Sequence, residues 1–363
     1  MSYFVHTNHI NAWSLSKGLA SLGLDLHVVS ESPGLLPVSE CVPGPGDTLF
    51  FTDEAHLLSY YCQEEFEFFP RDVDAQLIDD KVRLADRLRA MGEEPVPHWP
   101  LSDPVQETLP EFPIYLKARH SWIGSTKLPR GYICKSKKDF EQHVGTIREH
   151  GLTLDWFFLQ RLIAGDIGAN YSTCGFFDHA DAERSLLIVV RKLLGNERGK
   201  ISTGAIVKTV QDPSNLTART CRILEEIQYT GPFELEFLYD GQNEQYYVLE
   251  LNPRFWMQHG FFIDGYDNCL LKRYVGLQET VLEARGLPFR PLVWVNGVHF
   301  FQLLIHGRLK RLRSFASVLE QNNSRETRVL WYPNRAIAAW HCIKRQLQKS
   351  SAGLTTVTPW ARS

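Results

Sequence analysis

The sequence predicts a mixed α/β (α+β) fold, and three stretches carry the prediction. Residues 1 to 50 alternate strand, helix and strand; Ile78 to Pro97 holds a helix closed by glycine and proline; and Pro232 to Phe261 reads as a β-hairpin with an aromatic exit. In the hairpin, runs from Phe233 to Tyr239 and from Tyr246 to Leu251 are rich in aromatic and branched residues and flank Asp-Gly, the ordinary signature of a tight turn between paired strands.

With 363 residues, 44% of them hydrophobic and 12% aromatic, the chain can bury a large core and divides into two or three domains. A net charge of -3 gives no bulk electrostatic reason to expect nucleic acid or an anionic membrane, so small-molecule chemistry is the default. The seven cysteines include no CxxC pair, which suits reduced thiols better than a disulfide framework or a zinc site. The start lacks a basic segment followed by an apolar one, and no apolar run reaches about 18 residues. A cytoplasmic enzyme is expected, with no membrane span; a homodimer is left open.

Alternation along the hairpin strands puts Glu234 and Glu236 on one face and lines up Glu250, Asn252 and Arg254 on the neighbouring strand and its exit. Carboxylates with an amide oxygen suit magnesium, which prefers oxygen donors and leaves positions for substrate phosphates; two such ions can clamp a triphosphate. Arg254 adds a planar fork for phosphate or carboxylate. An exposed hairpin with acidic residues on its wet face is the ordinary alternative. The i, i+2 pairing of Glu250 with Asn252, and a further glutamate across the turn, argue against it.

The runs EFLYD (Glu236 to Asp240) and LELNPR (Leu249 to Arg254) resemble the metal-binding end of the ATP-grasp superfamily, especially its carbamoyl-phosphate-synthase-like carboxylate-amine ligases. The resemblance implies an ATP-grasp fold: an N-terminal βαβ pre-ATP-grasp domain (1–75), an ATP-grasp domain (76–280) with a small lid subdomain at about 112–158 and an antiparallel-sheet C-terminal subdomain, and a helical extension and tail (281–363). It also implies ATP and Mg2+ as cofactors, two ions being expected and Mn2+ a substitute, with Glu236, Glu250 and Asn252 as the metal ligands.

The chain in order supports that frame. Tyr3 to Val5, Asn11 to Leu22 and Leu24 to Val29 form the βαβ opening, with Gly23 ending the helix. Loop residues His6, Thr7, Asn8 and His9 follow the first strand where a dinucleotide-binding chain would carry GxGxxG; any of the four could touch a substrate, loop surface being the commoner reading. In the helix that starts at Asp80-Lys81, the family likeness gives Lys81 to the nucleotide, although a first-turn lysine is ordinarily a solvated charge. The strand FPIYLKA ends in Lys117, which the resemblance assigns to phosphate oxygens. The loop beyond it, RHSWIGSTKLPR, has one glycine where relatives have several, so Ser121 and its hydroxyl neighbours stand in for bare backbone donors. Asp139 to His150 is a helix of the small domain. In WFFLQRLIAGD, Gln160, Leu162 and Ile163 map to adenine contacts made mostly through main chain.

Asn170 to Phe177 and Ser185 to Leu193 are the next strands, and by resemblance the basic residue at the second strand's end, Arg191, steadies the transferred phosphoryl group together with Arg254. Ser202 and Thr203, in the loop that follows, are given to the acyl substrate. Asp212 and Pro213 open a helix that Gly231 ends. Trp256, Gln258 and His259 are expected to shape the acceptor site. Carboxylases of the superfamily place a glutamate where Gln258 stands; a glutamine takes no proton, which demotes bicarbonate carboxylation. Leu270 to Ala284 is read as a helix, and Leu292 to Arg313 as another with a basic end.

The reaction implied by the resemblance joins a small carboxylic acid or amino acid to an amine through an acyl phosphate, releasing ADP and phosphate. A phosphotransferase on the same nucleotide site, or a nucleotide-binding regulatory module without turnover, is left open.

Overall fold

The computed structural model describes residues 1–30, 34–70, 74, 77, 79–102, 109–123, 126–163, 167–195, 204–276 and 287–351. Its first unit is a parallel sheet of order β2-β1-β3, made of β1 (Tyr3–Val5), β2 (Leu26–Val28) and β3 (Thr48–Phe50). Helix α1 (Ile10–Ala20) crosses between the first two strands and buries Ala12, Leu15 and Leu19. The βαβ opening expected from the sequence is therefore present. Helix α2 (Glu54–Tyr60) follows β3, with the Asp53 carboxylate accepting from the His56 amide. Helix α3 (Lys81–Ala90) begins at Asp80, whose side chain accepts from the amides of Val82 and Arg83.

The second unit is a four-stranded sheet of order β4-β9-β5-β8, with antiparallel pairings throughout. Its strands are β4 (His98–Pro100), β5 (Ile114–Ala118), β8 (Gly131–Cys134) and β9 (Phe157–Arg161); β6 (Trp122–Ile123) and β7 (Thr126–Lys127) make a separate small hairpin between β5 and β8. Helix α4 (Lys137–Glu149), capped by Ser136, buries Phe140, Val144 and Ile147 against this sheet. Gly131 stands opposite Lys117 at φ +143°, and a Cβ there would lie 2.3 Å from the Leu116 carbonyl oxygen. Only glycine allows β8 to run this close beside the lysine.

The third unit is a seven-stranded sheet of order β14-β13-β10-β11-β12-β15-β16. Five strands belong to the middle of the chain: β10 (Asn170–Phe177), β11 (Leu186–Gly195), β12 (Gly204–Val210), β13 (Gly231–Asp240) and β14 (Gln245–Asn252). The hairpin predicted around Asp-Gly is β13–β14; its turn is held by Asp240, whose carboxylate accepts from the Gln242 amide and the Asn243 side chain. Helix α5 (Leu216–Glu226) packs on the sheet, and its first turn is capped by Asp212 through the amides of Leu216 and Thr217. Asp212 thus caps as expected, but Pro213 lies before the helix and not in its first turn.

The helical reading of Leu292 to Arg313 is corrected. Val-Trp-Val is a buried strand, β15 (Leu292–Asn296), pairing antiparallel with β12 and parallel with β16 (Arg328–Tyr332). Helices α7 (Gly297–Ile305) and α8 (Leu309–Gln321) follow β15, and α9 (Arg335–Ser351) follows β16. A run of β-branched and aromatic side chains buried on both faces carries no helical period, and burial decides it. Helix α6 is short (Cys269–Tyr274); the remainder of the helix predicted to Ala284 lies outside the described residues.

Register in the large sheet follows from its cores. Phe233, Leu235 and Phe237 are all fully buried on one face with Leu216, Ile223 and Leu224 of α5. The opposite face packs Cys174, Phe176, Ile188 and Val190 on α1 and on the segment Phe255 to Tyr274. A slip of one residue in β13 would withdraw three side chains each contributing about 1.5–3 kcal/mol and bury Glu234 and Glu236 in their place. The carboxylates face the cleft because the core claims the alternate positions.

Candidate active site

A cleft of about 1200 Å³ lies where the three units meet. One wall is the β13–β14 hairpin. Register places Glu236 opposite Glu250 and Glu234 opposite Asn252, so the four polar side chains form a compact square. The Asn252 amide donates to Glu234 (3.2 Å) and Glu236 (3.4 Å), and its oxygen accepts from Arg254 (3.2 Å). Arg254 is anchored in turn by Glu54 of α2 at 2.7 Å.

Three lysines balance this wall. Lys117 at the end of β5 is 3.2 Å from Glu250, and Lys192 of β11 is 2.6 Å from Glu236. Lys81 lies within hydrogen-bonding distance of the Arg119 carbonyl, 3.4 Å away. Burial lowers the Lys81 ammonium and the Lys117 charge adds to this, while Glu250 opposes it. Burial alone would raise the Glu250 carboxyl, but the Lys117 and Lys81 charges outweigh it and hold Glu250 down at about 2. Glu234 goes the other way: burial, then the neighbouring Glu236 charge, push it up to about 7. Two glutamates on one wall thus divide into a firm carboxylate and a group that carries a proton near neutrality.

The structure brings Lys81, Lys117, Ser121, Gln160, Leu162, Ile163, Glu236, Glu250, Asn252, Arg254 and Gln258 to the same cleft. Gln160 is paired along β9 to both Tyr115 and His98. Leu162 and Ile163 come after the last pair of that ladder, Ile114 with Arg161. Ser202 and Thr203 lie outside the described residues.

Three expectations are corrected. Arg191 is on the opposite face of β11: its Nε donates to the Gly168 carbonyl at 2.6 Å and its guanidinium stacks on Tyr171. Adjacent strand residues point to opposite faces, and the cation that reaches the cleft is Lys192. Trp256 is 1% exposed and packs in the core, as does His259, which is fully buried with its Nδ1 donating to the Trp256 carbonyl. Burial lowers His259 to about 4; neither residue lines the cleft. Among the described residues no three His, Cys, Asp or Glu side chains stand together in metal-holding positions; Lys117 is seated on Glu250 and Lys192 on Glu236.

Sequence reasoning missed the N-terminal wall. His6, Thr7, Asn8 and His9, read as loop surface, line the cleft with Asp53, Glu54 and His56. Thr7 and Thr52 share a hydrogen bond of 2.5 Å, and Asn8 is tied in both directions to Leu36. Alternation had a signal for Lys192; no local signal marked the loop, which becomes cleft only when α1 packs on the large sheet.

Comparison with known proteins fits this geometry. The family model for the carbamoyl-phosphate synthase L chain, ATP binding domain, matches residues 203–272, which hold β12, α5 and the hairpin. No curated protein matches significantly. Among solved structures, phosphoribosylamine–glycine ligase from Thermotoga maritima superposes with a TM-score of 0.53 at 15% identity, covering 78% of this chain and 78% of that one. The biotin carboxylase–β-γ-ATP complex from Campylobacter jejuni gives 0.57 at 13% identity (79% and 72%). A RimK domain ATP-grasp protein from Sphaerobacter thermophilus gives 0.52 at 16%, covering 77% of this chain and all of that one. At these identities the likeness is one of fold. The family match is centred on the hairpin, and the solved structures share the chain's ATP-grasp fold.

Proposed function

We propose that the protein is an ATP-dependent carboxylate-amine ligase, joining a small carboxylic acid or amino acid to an amine through an acyl phosphate, with ATP and Mg2+ as its cofactors. The observation that carries this reading is the opposition of an oxygen-donor wall (Glu236, Glu250, Asn252) to three lysines in one cleft. The donor set fits magnesium: the oxygens are hard, and one or two carboxylates suffice when phosphates and waters complete the shell. Glu236, Glu250 and Asn252 would hold it, and a bound ion would neutralise charge on the transferring phosphoryl group.

This chain's own residues would do the rest. Lys81 and Lys117 receive phosphate oxygens as point charges. Lys192 and Arg254, which line the same cleft, would meet the transferred phosphoryl group or the substrate carboxylate. No nucleophilic serine or cysteine is needed, since that carboxylate attacks phosphorus itself. Gln258, which takes no proton, supports amide formation over bicarbonate carboxylation.

The test is ADP release with carboxylates and amines supplied singly and together, with mass spectrometry of the product. ADP and an amide formed only when both are present are expected; a phosphorylated alcohol formed without an amine would replace this reading by phosphotransfer. Glu250→Gln should lower turnover per folded molecule by about 10²-fold or more, with some loss of stability because Lys117 keeps its charge without this partner; full activity would remove the metal assignment.

A further inference from the structure

The chain's net charge of -3 is unevenly spread. Between residues 297 and 351 stand ten lysines and arginines against two glutamates, a local charge of +8. These residues form α7, α8, β16 and α9, and α7 packs on both of the other helices. The same stretch concentrates exposed apolar side chains. Of the ten large hydrophobic residues left exposed among those described, five are here: Leu304, Ile305, Leu309, Trp340 and Ile343. Single exposed apolar residues are ordinary, but a concentration of them among charges of one sign marks a docking surface.

Helix α9 shows how the surface arises. Ala338 and Cys342, one turn apart, are buried against α7: a Cβ on Gly297 would lie 3.1 Å from the Ala338 methyl, and the Cys342 thiol donates to the Val298 carbonyl at 3.5 Å. A helix on the outside of a globular protein needs one apolar stripe, and this contact supplies it. Helical spacing puts Ala336, Trp340 and Ile343 (i, i+4, i+7) together on another side, where all three are exposed, Trp340 at 64%. The helix is therefore apolar on two sides, of which α7 covers one. Lys344, next to Ile343, is exposed as well. At the corner between α7 and α8, Leu304, Ile305 and Leu309 stand among exposed Arg308, Lys310 and Arg313.

Strand β16 and the hairpin strand β14 form opposite edges of the seven-stranded sheet, six strand spacings or about 29 Å apart. Among the described residues, none of α7, α8 or α9 lines the cleft, so the surface is separate from it. A second copy of the chain seated face to face would bring +8 against +8. An anionic lipid surface is complementary in charge, and its boundary between headgroups and acyl chains takes indole rings and aliphatic side chains while lysine and arginine stems reach the phosphates. No helix among the described residues is long and apolar enough to cross a membrane, which leaves contact along the surface.

We propose that the layer of α7, α8 and α9 docks the protein on an anionic lipid bilayer, with Trp340 and Ile343 entering the headgroup region and the basic side chains of the layer meeting lipid phosphates. Docking of this kind does not depend on the reaction catalysed in the cleft.

The test is sedimentation of the 363-residue chain with vesicles of phosphatidylcholine alone and with vesicles holding about one-third phosphatidylglycerol, beside a separate binding measurement with polyglutamate. Expected is binding to the anionic vesicles at least about tenfold tighter than to the neutral ones, mostly released when salt rises from about 0.1 M to about 1 M and the screening length falls from about 10 Å to about 3 Å. The double variant Trp340→Ala, Ile343→Ala should weaken it by about tenfold or more, and Lys344→Gln by about fivefold. These positions are exposed, so the unfolding midpoints should stay close to that of the parent and a loss of binding is a loss of the docking contact. Absence of binding to anionic vesicles, equal binding to both compositions, or parent-like binding by the double variant overturns the proposal. Binding to polyglutamate without binding to vesicles also overturns it and assigns the surface to an acidic polypeptide.

Discussion

Lys192→Met tests the correction from Arg191 most directly, because two adjacent residues make opposite predictions. Lys192 and Glu236 stand 2.6 Å apart with side chains only 9% and 11% exposed. At an effective dielectric of about 20, such a pair attracts by about 6 kcal/mol before desolvation is counted. Removing one partner of a buried pair typically costs about 3–5 kcal/mol, since the other charge stays behind. Here Asn252 still donates to Glu236, which places the expectation near the lower end. If Lys192 also meets the reacting phosphoryl group or carboxylate, turnover should fall by about 10²–10³-fold, as for other preorganised charges aimed at a transition state. Arg191→Met loses a hydrogen bond to Gly168 and a stack on Tyr171, so its turnover should stay within about threefold of the parent. The assay is ADP release, corrected for folded fraction by urea unfolding. A large loss in Arg191→Met with Lys192→Met nearly unaffected would refute the argument from strand alternation.

Further outcomes follow from the same wall and its exit. Because the folded Glu234 carboxyl lies near 7 against 4.5 for the free group, the native state keeps a proton that the unfolded chain has released, and this contribution to stability declines as pH rises through that window. Glu234→Gln should therefore gain up to about 3 kcal/mol relative to the parent between pH 5 and pH 8, read from urea midpoints; a difference that does not change with pH would refute it. Glu250 has the reverse sign, its stabilisation being lost as pH falls from about 4.5 toward 2, so Glu250→Gln should lose less stability than the parent on acidification. Gln258→Ala should raise KM about tenfold at an unchanged unfolding midpoint, whereas His259→Ala, which empties a core position, should cost about 2–4 kcal/mol and leave KM alone. Equal KM effects would return His259 to the cleft.

The sequence by itself determined the local facts: the βαβ opening, the hairpin at Asp240-Gly241, and the alternation that puts Glu234 with Glu236 on one face of their strand and Glu250 with Asn252 on one face of the neighbouring strand. These depend on side-chain period and turn chemistry, which act over a few residues. The resemblance at EFLYD and LELNPR then carried the ATP-grasp fold. Parity was also legible at Arg191-Lys192, but which of the two faces the cleft depends on which face of β11 the core takes, and only packing decides that. Tertiary structure likewise turned Val-Trp-Val from a predicted helix into a strand, because β12 offered an open edge to pair with. It buried Trp256 and His259 and left Gln258 on the cavity, since the exit from β14 folds back over α1. It also made a cleft wall of His6 to His9 and of Asp53 to His56, segments some fifty residues apart that meet only when β1 and β3 pair side by side.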